Sequence, residues 1–401
     1  MILAGDYIPK GCRVDWRLPS GTVLCNLEAP VLGDAPERFR PSPKAGPNLY
    51  NVTLGNERRE FAFNLANNHM MDYGPEGMRA TLAMLSARGI PCCGVGETRE
   101  AARMPMFLQE SGREIAVIGC CEHQFGVSYG GRPGVAALGG WVFDAVRAAR
   151  KRADFVVVSC HAALESSPFP DPELRLFYHR LIDEGASVIH GHHAHVPQGW
   201  EQYGEGVIFY GMGNFVVDPA CWGNVEPYCW SVAAAVDFSG RKLQWRTFLT
   251  RVEKSGPQTI LIRECTPEEQ AERQEYLAIC ARALRDENAV IGYFQEGVLR
   301  HFDRLYGIPL RLPAAQPVRL TLRNRIRYAV ELLADAWAVV SGRKLCSRRT
   351  RNRARIPFNF FQCESHSRAV AVALGVQIGE YPDLRTSRTA EDAARIMVEL
   401  L

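Results

Sequence analysis

The stretch Ser187-Val188-Ile189-His190-Gly191-His192-His193-Ala194-His195-Val196 decides how this chain is read. It opens as a short apolar run, the mark of a buried strand, and its imidazoles gather at and beyond the carboxyl end of that run. Ligands of open α/β sheets bind at such strand ends. The same pattern recurs outward from it. Apolar runs at residues 1–4, 22–24, 61–63, 115–121, 155–159, 207–210 and 232–238 read as further strands. Helical patterns at 75–88, 142–152 and 172–184 lie between them; the first starts at Pro75 and stops before Gly89, and the third stops before Gly185. Alternation of strands and helices predicts an α/β layered fold.

Polar groups recur where those strands end. In chain order they are Gly5-Asp6, Asn26-Leu27-Glu28, Asn67-Asn68-His69, His161 and the run 191–195. Two carboxylates, amides and several imidazoles suit one or two divalent cations held by oxygen and nitrogen, pointing to Mn, Fe or Zn rather than a thiolate zinc site. His69, beside Asn68, is placed to act on a leaving group as general acid. Each residue also has an ordinary structural reading: Asn68 as a helix cap, Asp6 as turn chemistry, His161 as a hydrogen-bonded strand end. Five such groups in sequence favour a pocket. His190 and His192 are expected to face away from His193 and His195, because neighbours in an extended segment alternate sides. The same alternation argues against a Cys160–His161 nucleophile pair.

The 401 residues are enough for two domains, or for one large domain with an appendage. At 47% hydrophobic and 23% charged, the chain is neither disordered nor fibrous. Residues 1–255 carry 25 basic and 27 acidic side chains and residues 256–401 carry 22 and 17, so the positive excess belongs to the last third. There the pattern turns helical, at 268–285, 289–306, 323–341, 366–375 and 389–401, with Pro309, Pro313 and Pro317 as a linker. A domain at 1–255 and a helical, arginine-rich region at 256–401 are therefore expected. The 13 cysteines include no CxxC pair, and neither a signal peptide nor a membrane-spanning run is visible. A reducing, cytoplasmic location follows as the expectation.

These motifs resemble a known arrangement. Their order is similar to that of the calcineurin-like metallophosphoesterases, and closer still to the CapA-type bacterial capsule synthesis family associated with poly-γ-glutamate. The residues that carry the resemblance are Gly5-Asp6, Asn26-Leu27-Glu28, Ala66-Asn67-Asn68-His69 with Asp72-Tyr73-Gly74, and Gly94-Val95-Gly96. It continues through His161 with Glu165, the run 191–196, and Tyr210-Gly211-Met212-Gly213-Asn214-Phe215 with Asp218. The resemblance covers about residues 1–250 and implies a metallophosphatase-like layered β-sandwich flanked by helices. It implies Asp6, Glu28 (bridging), Asn68, His161, His193 and His195 as metal ligands, and His69 with Asn68 as the catalytic pair. Asn26, Asn67, Glu165, His192 and Asn214 would support the ligands or meet substrate. Two departures stand out: Ile8 replaces the histidine of Asp-x-His, which weakens one metal position, and Ala194 replaces the proline usual between the last two histidines.

The implied function is a role in capsule or poly-γ-glutamate-type polymer biosynthesis. It takes either of two forms: metal-dependent hydrolysis or transfer at a phosphate ester or amide, or non-catalytic polymer handling or scaffolding in a capsule assembly or export machine. Residues 311–355 hold 12 basic and 2 acidic side chains. Arg343, Arg348, Arg349, Arg351, Arg353 and Arg355 would meet an acidic polymer or anionic membrane surface, beside an amphipathic helix at 323–341. A solvated basic loop explains the same run equally well. Nucleic acid is disfavoured because the run lacks aromatic residues for stacking.

Overall fold

The computed structural model describes residues 1–42, 44, 47–51, 54, 60–302, 358 and 361–397. The arginine run at 343–355 and the amphipathic segment at 323–341 lie outside the described residues.

In chain order the strands are β1 (Ile2–Ile8), β2 (Arg13–Arg17), β3 (Val23–Leu27), β4 (Phe61–Asn64), β5 (Cys92–Cys93), β6 (Val95–Gly96), β7 (Met106–Glu110), β8 (Arg113–Cys121) and β9 (Gly134–Val135). They continue as β10 (Phe155–His161), β11 (Val188–His192), β12 (Pro197–Tyr203), β13 (Gly206–Met212), β14 (Asn214–Val217), β15 (Trp230–Asp237), β16 (Gln244–Gly256) and β17 (Thr259–Glu264). The helices are α1 (Gly74–Ala87), α2 (Arg99–Ala102), α3 (Trp141–Ala149), α4 (Pro172–Asp183), α5 (Pro267–Ala283), α6 (Glu287–Phe302), α7 (Glu364–Gln377) and α8 (Ser387–Ile396).

Two sheets dominate. One runs β2-β17-β16-β15-β1-β3-β4-β5 with β14 also paired to β1, and the other runs β12-β13-β11-β10-β8-β7. The β1-β3-β4-β5 and β8-β10-β11-β13 segments are parallel. Strands covered on both faces are apolar along their whole length, and alternate residues sort to opposite layers. Leu3, Leu24 and Ala62 of the first sheet meet Val117, Val157 and Val188 of the second in one core. Their neighbours Ala4, Cys25 and Phe63 pack with Met78 and Leu85 of α1 on the outer face. Ala116, Val156 and Ile189 pack with Val146 of α3 and Leu181 of α4. Helix, sheet, sheet and helix form the layered α/β architecture expected.

The expected boundary at residue 255 needs correction. It falls inside a hairpin, because β17 pairs with β16 on one side and β2 on the other. The helices beyond are no detached appendage either: Tyr276, Ile279 and Cys280 of α5, Tyr293 of α6 and Ile396 of α8 belong to the inter-sheet core. No helix among the described residues is long and apolar enough to cross a membrane.

Candidate metal centre

The parallel strands of both sheets end on one spot. Asp6 comes from β1, Asn26 from β3, and Glu28 from the residue just past it. Asn67, Asn68 and His69 follow β4, His161 closes β10, and His192 closes β11 with His193 and His195 beyond. Asn214 opens β14. Bringing β1 against β14 demands a glycine at position 5, since a Cβ there would sit 1.8 Å from the Gly213 carbonyl oxygen.

Two donor groups are assembled, Glu28–His193–His195 and Asp6–Glu28–His161, each with candidate ligand atoms within 4.8 Å of one another. Glu28 is common to both, the position of a carboxylate shared between two cations. His161 Nε2 and His195 Nε2 each approach Glu28 Oε1 to 3.5 Å. Asn68 Oδ1 is 3.1 Å from His161 Nε2. Asp6, Glu28 and His161 are wholly buried. Asp6 Oδ2, both Glu28 oxygens, His192 Nδ1 and both His193 nitrogens have no hydrogen-bond partner among the described residues. Buried polar atoms are ordinarily satisfied, so a converging set of orphans is what a cation would complete. The donors present fit a divalent metal.

The buried charges perturb one another strongly. Burial, with Asp6 adding to it, pushes Glu28 up to about 8. Burial also acts on Asp6, but the imidazoles of His192 and His195, each 3.4 Å from the carboxylate, outweigh it and hold that carboxyl well below its usual range. Burial alone would lower His195; Glu28 and Asp6 reverse this and raise it to about 10. His161 lies well below the usual histidine range through burial and the neighbouring His193.

Supporting residues fix the set. Asn26 donates to Asp6 Oδ1 at 2.8 Å and lies 3.0 Å from His161 Nδ1. Asn67 donates to Asn26 Oδ1 at 3.0 Å and accepts from the Met70 backbone at 2.9 Å. Asn214 Oδ1 meets His195 Nδ1 at 3.0 Å, which sets that ring's tautomer. His190 bonds the Ala4 carbonyl at 2.9 Å and faces Ser159 at 3.2 Å, outside the donor groups.

His192 departs from the sequence expectation: its Nδ1 reaches to 3.4 Å from Asp6 Oδ1. The alternation argument fails because β11 stops at His192, after which His193 (φ 86°) and His195 (φ 59°) take left-handed conformations. Such strain in non-glycine residues concentrates at functional sites. Ile8 lines the neighbouring cavity, and the imidazoles beside Asp6 are those of His192 and His195, each at 3.4 Å.

That cavity, about 440 Å³, is lined by Asn68, His69, Glu165 and His195, with Lys10, Lys44, Phe125, Trp222, Cys363 and His366 among its other walls. His69 Nδ1 is 2.7 Å from Asp72 Oδ2, and Lys44 Nζ pairs with Asp72 Oδ1 at 2.6 Å. Burial and Lys44 lower the His69 pKa against the pull of Asp72. Sequence reading missed Lys44, Glu122, Cys363 and His366. Glu122 had a signal, because it directly follows the 115–121 strand run. The others come from a proline-rich loop and a distant helix.

The model of the family described as bacterial capsule synthesis protein PGA_cap matches residues 19–219, half of the chain. The chain belongs to that family. Relatives carry the family's theme. The capsule biosynthesis protein CapA of Bacillus anthracis is 30% identical over 50% of this chain and 51% of its own. The PGA biosynthesis protein CapA of Bacillus subtilis is 36% identical over 39% of this chain and 42% of its own. A probable polyglutamine synthesis accessory protein of Mycobacterium tuberculosis is 30% identical over 51% and 61%. The chain spans about half the length of the curated relatives it matches. A solved phosphatase from Mycoplasma pneumoniae aligns over 67% of this chain and 95% of its own, at 13% identity and a TM-score of 0.36.

Proposed function

We propose that this PGA_cap protein is a metal-dependent hydrolase or transferase of capsule or poly-γ-glutamate-type polymer biosynthesis, acting at a phosphate ester or amide. The observation that carries the reading is the pair of buried donor groups sharing Glu28, with their unpartnered atoms, beside the His69 cavity. Carboxylate, imidazole and amide donors without a thiolate suit Mn, Fe or Zn. Asp6, Glu28, Asn68, His161, His193 and His195 would hold one or two ions, and His192 stands beside Asp6. A bound metal would polarise the scissile group and activate water.

The chain's own residues do the rest. With its proton on Nδ1, His69 would donate to Asp72 Oδ2 and leave Nε2 as the nitrogen for proton transfer. The lowered pKa favours a neutral ring, which would accept a proton before serving as the general acid expected from sequence. Lys10 and Lys44 on the cavity wall suit an anionic substrate, an acidic polymer or a phosphorylated group.

A second reading is a non-catalytic polymer-handling component of a capsule assembly complex, cytoplasmic or peripheral to a membrane. The word accessory in the mycobacterial relatives' name favours it, as does the run Arg343–Arg355. Elemental analysis of protein purified without chelator separates the two. About one to two equivalents of metal in the parent and none in Asp6→Ala/His193→Ala supports the enzyme reading. A metal-free parent after soaking with each ion removes it.

A further inference from the structure

His193 contributes to a donor group, yet neither of its ring nitrogens has a hydrogen bond, and each faces a carboxylate. Glu122 Oε1 is 3.6 Å from Nε2, and Glu165 Oε1 is 3.9 Å from Nδ1. A histidine that ligates a cation through one nitrogen nearly always gives the other N–H to a carboxylate or carbonyl, which fixes the ring. The two carboxylates differ in how they are held. Glu165 stands on the cavity wall with its side chain 36% exposed. Glu122 is buried, and Ser365 Oγ donates to its Oε1 at 2.8 Å.

Ser365 belongs to α7, some 240 residues away in sequence and outside residues 19–219. That helix is fastened at the site. The Glu364 backbone N–H donates to the His123 carbonyl at 3.1 Å, and the His123 N–H donates to Glu364 Oε2 at 3.3 Å. Arg368 pairs with Asp171 and reaches Glu173 at 3.6 Å. Ala369, Val370 and Ala373 share an apolar cluster with Phe294 and Val298 of α6 and with Leu164, which lies on the loop between His161 and Glu165. Cys363 and His366 extend the same wall into the cavity.

We propose that Glu122 is the positioning residue for His193 and is itself held by Ser365, so that helix α7 is a working part of the metal centre. The inference rests on the metal reading of the site. Without Ser365 the Glu122 carboxylate loses its anchor; without Glu122 the His193 ring loses the carboxylate that faces its Nε2.

The test is titration of chelator-stripped full-length protein with Co²⁺, following both affinity and the visible absorption of the bound ion. Glu122→Gln is expected to weaken binding about 10- to 100-fold and alter the absorption band. Ser365→Ala, which changes no charge, should weaken it by a smaller factor in the same direction, and Ser365→Thr should restore it. Arg368→Ala loosens the helix without touching Glu122 and serves as the control for docking alone. Parent protein that binds Co²⁺, with Ser365→Ala and Glu122→Gln binding equally well, would overturn the proposal while leaving the metal reading intact. So would Arg368→Ala losing as much affinity as Ser365→Ala, since the effect would then belong to docking. A parent that binds no Co²⁺ would remove the metal reading, and the proposal with it.

Discussion

At Glu201, on β12, three donors converge on one half-buried carboxylate. Arg175 contributes Nε at 3.0 Å and Nη2 at 2.8 Å, His179 Nε2 lies at 2.6 Å, and the Tyr210 hydroxyl also donates. Burial alone would push this carboxyl up, but the bonds from His179, Arg175 and Tyr210 outweigh it and hold it at about 2. A depressed carboxylate pKa stabilises the fold above the unfolded value, near 4.5, and that stability is lost as pH falls toward 2. With solvent screening allowed for, the contribution is about 2 kcal/mol at neutral pH. Urea midpoints measured from pH 6 to pH 2 should show Glu201→Gln less stable than the parent at pH 6, with the gap closing below pH 4.5. A constant gap across that range would contradict the assignment. The same scale shows what the sequence could disclose. Asp6, Glu28, Asn68, His161, His193 and His195 stood out because they follow strand ends, and the structure brings these residues to one spot. His192 was misread because alternation holds only while the chain stays extended. Lys44 and Ser365 carried no local signal, since each reaches its partner through tertiary packing alone.

Among the elements, β1 carries the tightest constraint. Its N-terminal half pairs antiparallel with β15, and its C-terminal half runs parallel to β14. The Asp6 N–H bonds the Gly213 carbonyl at 3.1 Å. A methyl group on residue 5 would collide with that carbonyl and force the two strands apart, carrying Asp6 away from Glu28. Gly5→Ala is expected to cost about 3 kcal/mol of stability and to abolish cation uptake in whatever fraction folds. Denaturant unfolding with metal analysis of the folded fraction checks both; a stable variant that still takes up metal would show that the β1–β14 contact is slack. The buried parallel strands were visible in the sequence as unbroken apolar runs. Strands β2, β16 and β17 were not, because half-buried and exposed polar residues, Arg13, Arg17, Arg246 and Glu264 among them, keep the apolar residues from forming a long run. A strand with one wet face has no apolar run to find.

For the molecule as a whole, the question is whether the helices after β17 fold with the sheets or apart from them. Asp392 of α8 is wholly buried and receives Arg282 of α5 through two bonds of 3.0 Å, with Arg388 at 3.2 Å and the Tyr293 hydroxyl of α6 closing the cluster. One charge thus ties three helices together, and all three place side chains in the inter-sheet core beside Trp230 and Phe209. Removing it leaves the Tyr293 hydroxyl short of a partner, whereas the partly exposed arginines return to water, so Asp392→Ala should cost about 2 kcal/mol. The informative part is where that loss appears. Four of the seven tryptophans, Trp16, Trp200, Trp230 and Trp245, lie on the sheets, so fluorescence is weighted toward the sandwich, while helical circular dichroism follows α5, α6 and α8 as well. A shared core requires both signals to move to lower urea together, by the same amount and with unchanged slope. If the dichroism shifted and the fluorescence stayed, the helices would be a unit of their own, and the boundary expected near residue 255 would regain its meaning. The inter-sheet cluster, which joins Leu3 at one end of the chain to Ile396 at the other, predicts a single coincident transition.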